Sequence, residues 1–115
     1  MKIYHNSRCS KSRQGLELVK NSGQDFEVVK YLETSPDANE IKDLLKMLDF
    51  TPIELLRQKE AIWKENYKGK TLSDEQIIEA MVQNPRLIER PILIKGDKAV
   101  IGRPIENIEK LLKAE

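Results

Sequence analysis

The sequence predicts an α/β fold with a four-stranded mixed sheet flanked by helices. Three observations lead to it. A strand, a helix and a second strand are expected within residues 2–32, short helices fill residues 51–85, and a hairpin followed by an amphipathic helix ends the pattern. A chain of 115 residues has the length of one domain, so we expect a single domain over residues 1–115.

The first third of the chain predicts a βαβ unit. A short strand is expected over residues 2–5, a helix over 11–21 that ends at Gly23, and a second strand over the β-branched and aromatic run 26–32. Such a connection makes the two strands parallel, with a right-handed crossover. Gly15 fits poorly inside this helix, where glycine costs about 1 kcal/mol relative to alanine.

The middle of the chain predicts helices with clear N-termini. One is expected to begin near Pro36, with Asp37 in a capping box and an apolar stripe at helical spacing. Capping boxes at Thr51–Glu54 and Ser73–Gln76 then start helices inside the block 51–85.

The last third predicts a hairpin and a helix. Residues 91–94 form a continuous apolar run, typical of a central strand buried on both faces. A turn at 96–97 leads to an antiparallel strand over 99–101, and Pro104 is expected to open the last helix. Without the helical block, this element order is that of a thioredoxin-like domain. The block 51–85 is then a helical insertion before the third strand.

Composition excludes several classes of protein. Lys and Arg number 20 against 19 Asp and Glu, a net charge of +1, which argues against a nucleic-acid binder. No apolar run approaches the ~20 residues of a membrane span, and the N-terminus lacks the apolar region of a signal peptide. One cysteine and one histidine allow neither an internal disulfide nor a His/Cys metal cluster. We expect a cytoplasmic monomer with no bound metal or organic cofactor.

Cys9 is the main candidate for chemistry. It lies between the first strand and the first helix, where the helix N-terminus stabilises a thiolate, and Arg8 and Lys11 add positive charge. The alternative is a small buried apolar residue, which the polar flanking sequence disfavours. His5 lies four residues before the cysteine. Ser12 occupies the place of the second thiol in a C-x-x-C motif.

Three arginines form a second candidate group. Arg90 and Arg103 each precede a proline, which keeps them out of helical conformation, and Arg57 lies in the helical block. In a thioredoxin-like domain the loops that carry Arg90 and Arg103 converge with Cys9 at one end, and a cis Arg90–Pro91 bond is expected there. Arginine binds oxyanions with two parallel hydrogen bonds. The alternative for each is an ordinary solvated charge.

Several short motifs occur in order along the chain: Tyr4-His5-Asn6, Cys9, Ser12-Arg13, Tyr31-Leu32-Glu33, Leu55-Leu56-Arg57, 87–92 and Arg103-Pro104. Together they resemble the glutaredoxin-coupled arsenate reductase family. The resemblance implies a thioredoxin-like fold with a helical insertion, and Cys9 as nucleophile.

The resemblance also implies roles for the other candidates. His5 helps to activate the thiol, with Ser12 in the same catalytic set, and Arg57, Arg90 and Arg103 bind arsenate or a similar oxyanion. Since the chain has no second cysteine, an external thiol must regenerate Cys9, and the resemblance implies glutathione and glutaredoxin.

Two other functions stay open. Spx-type transcription regulators share the fold and the Arg-Pro pair before the third strand, and they bind RNA polymerase. They usually carry C-x-x-C as a redox switch, whereas Ser12 lacks the thiol. The other alternative is a thiol-transfer protein that acts on glutathionylated partners.

Overall fold

The computed structural model describes residues 1–67 and 69–114. The elements follow in the order β1 (Lys2–Tyr4), α1 (Ser10–Asn21), β2 (Glu27–Val29), α2 (Ala38–Leu48), α3 (Pro52–Leu55), α4 (Ala61–Asn66), α5 (Asp74–Gln83), a 3-10 turn (Pro85–Leu87), β3 (Ile92–Lys95), β4 (Lys98–Ile101) and α6 (Glu106–Lys113). Within the described ranges, every helix is too short or too polar to cross a bilayer.

The chain forms two compact units. One is built from Met1–Glu33 together with the chain from Arg90 onward, and the other from Thr34–Glu89. The first unit contains the sheet with α1 and α6, and the second contains α2 to α5.

The sheet of the first unit is mixed, with the strand order β2-β1-β3-β4. β1 runs parallel to β2 and antiparallel to β3, and β4 is antiparallel to β3. The predicted α/β fold with a four-stranded mixed sheet is therefore confirmed. Tyr4 aligns with Ile92, and Ile92 aligns with Ile101. The segments that follow β1, precede β3 and follow β4 consequently leave the sheet at the same end.

The core of this unit joins the sheet to both helices. Ile3 and Leu93 from the sheet pack with Val19 of α1 and with Ile108 of α6. Ile92 and Leu93 are both fully buried although successive strand residues face opposite sides, so the prediction of a strand buried on both faces is confirmed.

Packing explains why position 15 in α1 is a glycine, which the sequence did not show. A Cβ atom there would lie 2.8 Å from Ile108 Cδ1 and 2.9 Å from Pro91 Cγ. Gly102 meets the same two side chains, with distances of 2.6 and 2.8 Å. The two glycines thus let α1 and the chain after β4 approach Pro91 and Ile108 closely.

Gly102→Ala is expected to destabilise the fold by about 1–3 kcal/mol, the usual cost of adding a methyl group to a filled site. Ile108→Val removes the nearest methyl group, so the alanine should cost less in that background. Thermal or urea unfolding of the four members of this double-mutant cycle measures the coupling. Additive changes would show that Ile108 does not set the limit at Gly102.

Two predicted boundaries are wrong. The second strand was expected over 26–32 but ends at Val29, because β1 has only three residues and gives it three partners. Pro104 was expected to open the last helix, but α6 begins at Glu106, with Ile105 as its N-cap residue.

The helical unit has the predicted helix starts at Thr51 and Ser73, where both capping boxes form. α2 begins at Ala38 after the N-cap Asp37, whose carboxylate accepts from the N–H of Glu40 at 2.8 Å. α2 packs on α5 within the unit. The unit spans Thr34–Glu89, and the helical insertion predicted over residues 51–85 lies inside it.

Candidate active site

Cys9 is the N-cap residue of α1, with extended backbone angles of φ −99° and ψ 121°. Its backbone N–H donates to the Asn6 carbonyl at 3.0 Å, and its own carbonyl accepts from the N–H of Arg13 at 3.0 Å. The thiol is partly exposed. The sequence therefore placed the cysteine correctly, at the helix end where backbone N–H groups have no partner inside the helix.

Two arginines from distant parts of the chain reach the sulfur. Arg103 Nη2 lies 3.3 Å from Cys9 Sγ, and Arg103 Nε donates to the Arg90 carbonyl at 2.9 Å. The Arg90 side chain is buried, with 8% of its surface exposed, and it also donates to the sulfur. The predicted cis bond between Arg90 and Pro91 is confirmed, and the bond between Arg103 and Pro104 is also cis.

These contacts lower the pKa of the Cys9 thiol. Burial alone would raise it, but the backbone N–H of Ser12, the hydrogen bond from Arg90 and the charges of Arg103 and Arg90 together outweigh burial. The thiolate is thus held by cations that are remote in sequence. The neighbours Arg8 and Lys11, which the sequence predicts as the source of positive charge, are not among the groups that lower this pKa.

The rate of Cys9 alkylation by iodoacetamide should rise with pH and reach half its maximum below the ordinary thiol pKa of 9.0. Arg103→Ala removes one cation from the sulfur, so the midpoint should move to higher pH. Arg86→Ala removes an exposed charge in the helical unit and should leave the midpoint unchanged. Equal midpoints in wild type and Arg103→Ala would contradict the assignment of Arg103.

Behind the cysteine lies a buried polar group formed by His5, Asn6 and Ser12. Ser12 is fully buried, and its Oγ accepts from the Asn6 N–H at 2.9 Å and lies 2.7 Å from His5 Nδ1. Burial, as the largest cause, lowers the pKa of His5, and the charges of Lys20, Arg13 and Lys30 lower it further, against the hydrogen bond with Ser12. A neutral imidazole is therefore favoured at this position.

Ser12 connects this group to the cysteine. Its side chain holds His5, while its backbone N–H acts on the Cys9 sulfur. The structure thus brings His5, Ser12 and Cys9 together, as the sequence had suggested from their spacing. Their catalytic roles stay predictions.

Asn6 is a residue of this site to which sequence analysis gave no role. It is buried, with 9% of its surface exposed, and its Oδ1 accepts from the N–H of Arg8 at 3.0 Å. An asparagine that bonds the backbone two residues ahead shapes a turn. In the sequence, the feature that indicates this turn is an asparagine at the start of a polar loop without glycine.

Arg57 belongs to the helical unit, whereas the other candidate residues belong to the unit that contains the sheet. Its Nε donates to Glu60 Oε1 at 3.2 Å, and its backbone N–H donates to the Leu87 carbonyl at 2.7 Å. The binding of an oxyanion by Arg57 stays a prediction.

Comparison with known proteins agrees with this description. The ArsC family matches residues 4–111. The protein YfgD of Escherichia coli K12 is 52% identical over 97% of this chain and 96% of its own length. A protein of Neisseria meningitidis serogroup A named arsenate reductase is 42% identical, with 97% of both chains covered. The solved structure of an arsenate reductase from Vibrio cholerae superposes with a TM-score of 0.89 at 43% identity, covering 96% of this chain and 97% of that one.

The fold and the site define a thioredoxin-like domain with a cysteine at the start of its first helix. The chain belongs to the ArsC family. The resemblance to arsenate reductases inferred from the motifs is thereby confirmed.

Proposed function

We propose that this protein reduces arsenate, or a closely similar oxyanion, to its trivalent form with Cys9 as the nucleophile. The observation that carries the proposal is the pair of guanidinium groups at the sulfur, with Arg103 Nη2 at 3.3 Å and Arg90 as a second donor. Guanidinium groups bind tetrahedral oxyanions with two hydrogen bonds each and keep their charge at every physiological pH. The names of the Neisseria and Vibrio relatives support the same substrate.

In the first step the Cys9 thiolate attacks arsenic(V). A sulfur–arsenic bond forms, and one arsenate oxygen leaves as water after protonation. Arg90 and Arg103 hold the negative charge of the oxyanion during this exchange, with Arg57 as a third ligand on the strength of the resemblance. Ser12 stabilises the thiolate through its backbone N–H, and His5, which lies 2.7 Å from Ser12 Oγ, helps to activate the thiol on the strength of the resemblance.

In the second step an external thiol attacks the Cys9 sulfur of the adduct. The sulfur–arsenic bond breaks and its electron pair stays on arsenic, which leaves as arsenite, while Cys9 is oxidised to a mixed disulfide. The chain has one cysteine, so it supplies no second thiol of its own. Glutathione as the attacking thiol, and glutaredoxin to reduce the mixed disulfide, complete the cycle. This chemistry needs the reducing cytoplasm and suits a monomer.

The test is arsenite formation by the purified protein with arsenate, glutathione and glutaredoxin, measured by separating the two arsenic oxidation states. We expect arsenite to accumulate over many turnovers, and only when both thiol components are present. Removal of glutathione from a glutathionylated peptide, without arsenite formation, would instead favour a thiol-transfer protein. Neither activity, combined with capture of RNA polymerase, would favour a Spx-like regulator.

A further inference from the structure

Asn6 has no part in the mechanism above, yet it is hydrogen-bonded to three residues around the reactive sulfur. Its backbone N–H donates to Ser12 Oγ at 2.9 Å, and its carbonyl accepts from the N–H of Cys9 at 3.0 Å. Its side-chain Oδ1 accepts from the N–H of Arg8 at 3.0 Å. A buried residue that bonds through its N–H, its carbonyl and its side chain holds the backbone around it in one conformation.

These bonds complete a ring that includes the sulfur. Asn6 holds the backbone of Cys9 and the side chain of Ser12. The backbone N–H of Ser12 in turn bonds to the Cys9 sulfur. The place of the sulfur relative to that N–H therefore depends on the conformation of residues 6–9. The side chain of Asn6 fixes this conformation, because it bonds the backbone in the middle of the segment.

The acceptor in this turn is an amide rather than a carboxylate. Asparagine and aspartate both form such turns, since each accepts a backbone N–H two residues ahead. A carboxylate at position 6 would, however, bond the residue directly before Cys9, and a like charge nearby disfavours a thiolate. The first 16 residues contain no Asp or Glu, so the segment that carries Cys9 adds no negative charge beside its sulfur.

We propose that Asn6 is a positioning residue of the active site, whose neutral side-chain oxygen fixes residues 6–9 so that the Cys9 thiolate meets the Ser12 N–H without a competing charge. The inference rests on the proposed function, in which Cys9 is the nucleophile. The charges that act on the sulfur come from Arg103 and Arg90, whereas Asn6 supplies the geometry.

Three substitutions separate the two properties of this side chain, which are its acceptor and its neutrality. Asn6→Asp keeps the acceptor and adds a charge. Asn6→Ser keeps a neutral acceptor that forms the same kind of turn more weakly, and Asn6→Ala has none. The readouts are the melting temperature and the pH at which alkylation of Cys9 by iodoacetamide reaches half its maximal rate.

Stability and thiol reactivity should respond differently to these substitutions. Asn6→Asp should melt close to wild type, while its alkylation midpoint rises by about one pH unit, because the new charge opposes the thiolate. Asn6→Ala should lower the melting temperature and also raise the midpoint, since the sulfur loses its fixed place beside the Ser12 N–H. Asn6→Ser should recover part of both losses. A merely structural role would leave Asn6→Asp like wild type in both measurements.

Gln24→Ala is the matched control. The Gln24 side chain also makes one hydrogen bond to the backbone, to the Leu112 carbonyl at 3.0 Å. It lies before β2, whose first residue aligns with the first residue of β1, so it is at the end of the sheet opposite to Cys9. Gln24→Ala should lower the melting temperature and leave the alkylation midpoint unchanged.

A wild-type midpoint in Asn6→Ala would overturn the proposal, and this holds even if Asn6→Asp does not fold. A wild-type midpoint in a folded Asn6→Asp, or a midpoint in Gln24→Ala that rises as much as in Asn6→Ala, would overturn it as well. Alkylation needs no arsenate, so a failure here is separate from a failure of arsenate reduction, which the arsenite assay reports by itself.

Discussion

Cys9→Ser is expected to abolish arsenite formation completely while the protein stays folded. The serine hydroxyl is far less nucleophilic than a thiolate toward arsenic(V), and it cannot form the mixed disulfide through which arsenite leaves. Serine is also a preferred residue at the N-cap, which Cys9 occupies, so the helix should not be weakened. The measurement is arsenite formed with glutathione and glutaredoxin, together with a thermal melt.

Ser10→Ala is a suitable control for this substitution. Ser10 is the first residue of α1, directly after Cys9, and its side chain is exposed. The control should retain activity within about twofold, as expected for the loss of an exposed hydroxyl that has no role in the proposed mechanism. Measurable turnover by Cys9→Ser would place the chemistry on another residue and sink the proposed mechanism.

The sequence predicted those parts of the site that depend on local structure. Cys9 could be placed at a helix start because a strand, a polar loop and an apolar helical pattern follow one another within some twenty residues. The helix starts at Thr51 and Ser73 were predictable for the same reason, since a capping box is a contact between residues three apart.

The element order predicted that the loops of Arg90 and Arg103 converge with Cys9, but it did not show that their guanidinium groups contact the sulfur and lower its pKa. The cations that lower the pKa of the thiol, Arg90 and Arg103, come from positions more than 80 residues further along the chain than Cys9, in loops that converge because β1 pairs with β3 and β3 with β4. Sequence proximity instead predicted that the neighbours Arg8 and Lys11 supply the positive charge near the thiolate.

The same limit explains Gly15. As a helix residue it is unfavourable, and only the packing of α1 against Pro91 and Ile108 shows why a side chain is excluded. Strand ends were also missed, because β2 stops where its partner β1 stops, whatever the propensity of residues 30–32. The role of Arg57 is implied by the family resemblance, and it is tested by measuring the activity of Arg57→Ala.

Arg90→Ala and Arg103→Ala are each expected to lower kcat/KM for arsenate by about 100- to 1000-fold, the usual cost of losing one charged contact to a developing oxyanion. Arg103 contacts both the sulfur and the backbone of Arg90, so its loss should affect the thiolate as well as the substrate. Lysine at either position should restore only part of the rate, because an ammonium group cannot bind two oxygens in parallel. Arg57→Ala removes the proposed third ligand and is expected to be as damaging.

Measurements of the melting temperature distinguish a loss of catalysis from a loss of folded protein in these variants. Arg90 is buried, so its alanine variant leaves a space and can lower the melting temperature, whereas Arg103 is exposed and should be replaced at little cost to stability. Arg103→Ala therefore carries the decisive comparison with Arg86→Ala, an exposed arginine outside the proposed site. A large loss of kcat/KM in Arg103→Ala with an unchanged melt, and wild-type kinetics in Arg86→Ala, are the expected results. Equal losses in both variants would mean that the two guanidinium groups at Cys9 do not form an oxyanion site, because a general charge effect would then explain the kinetics.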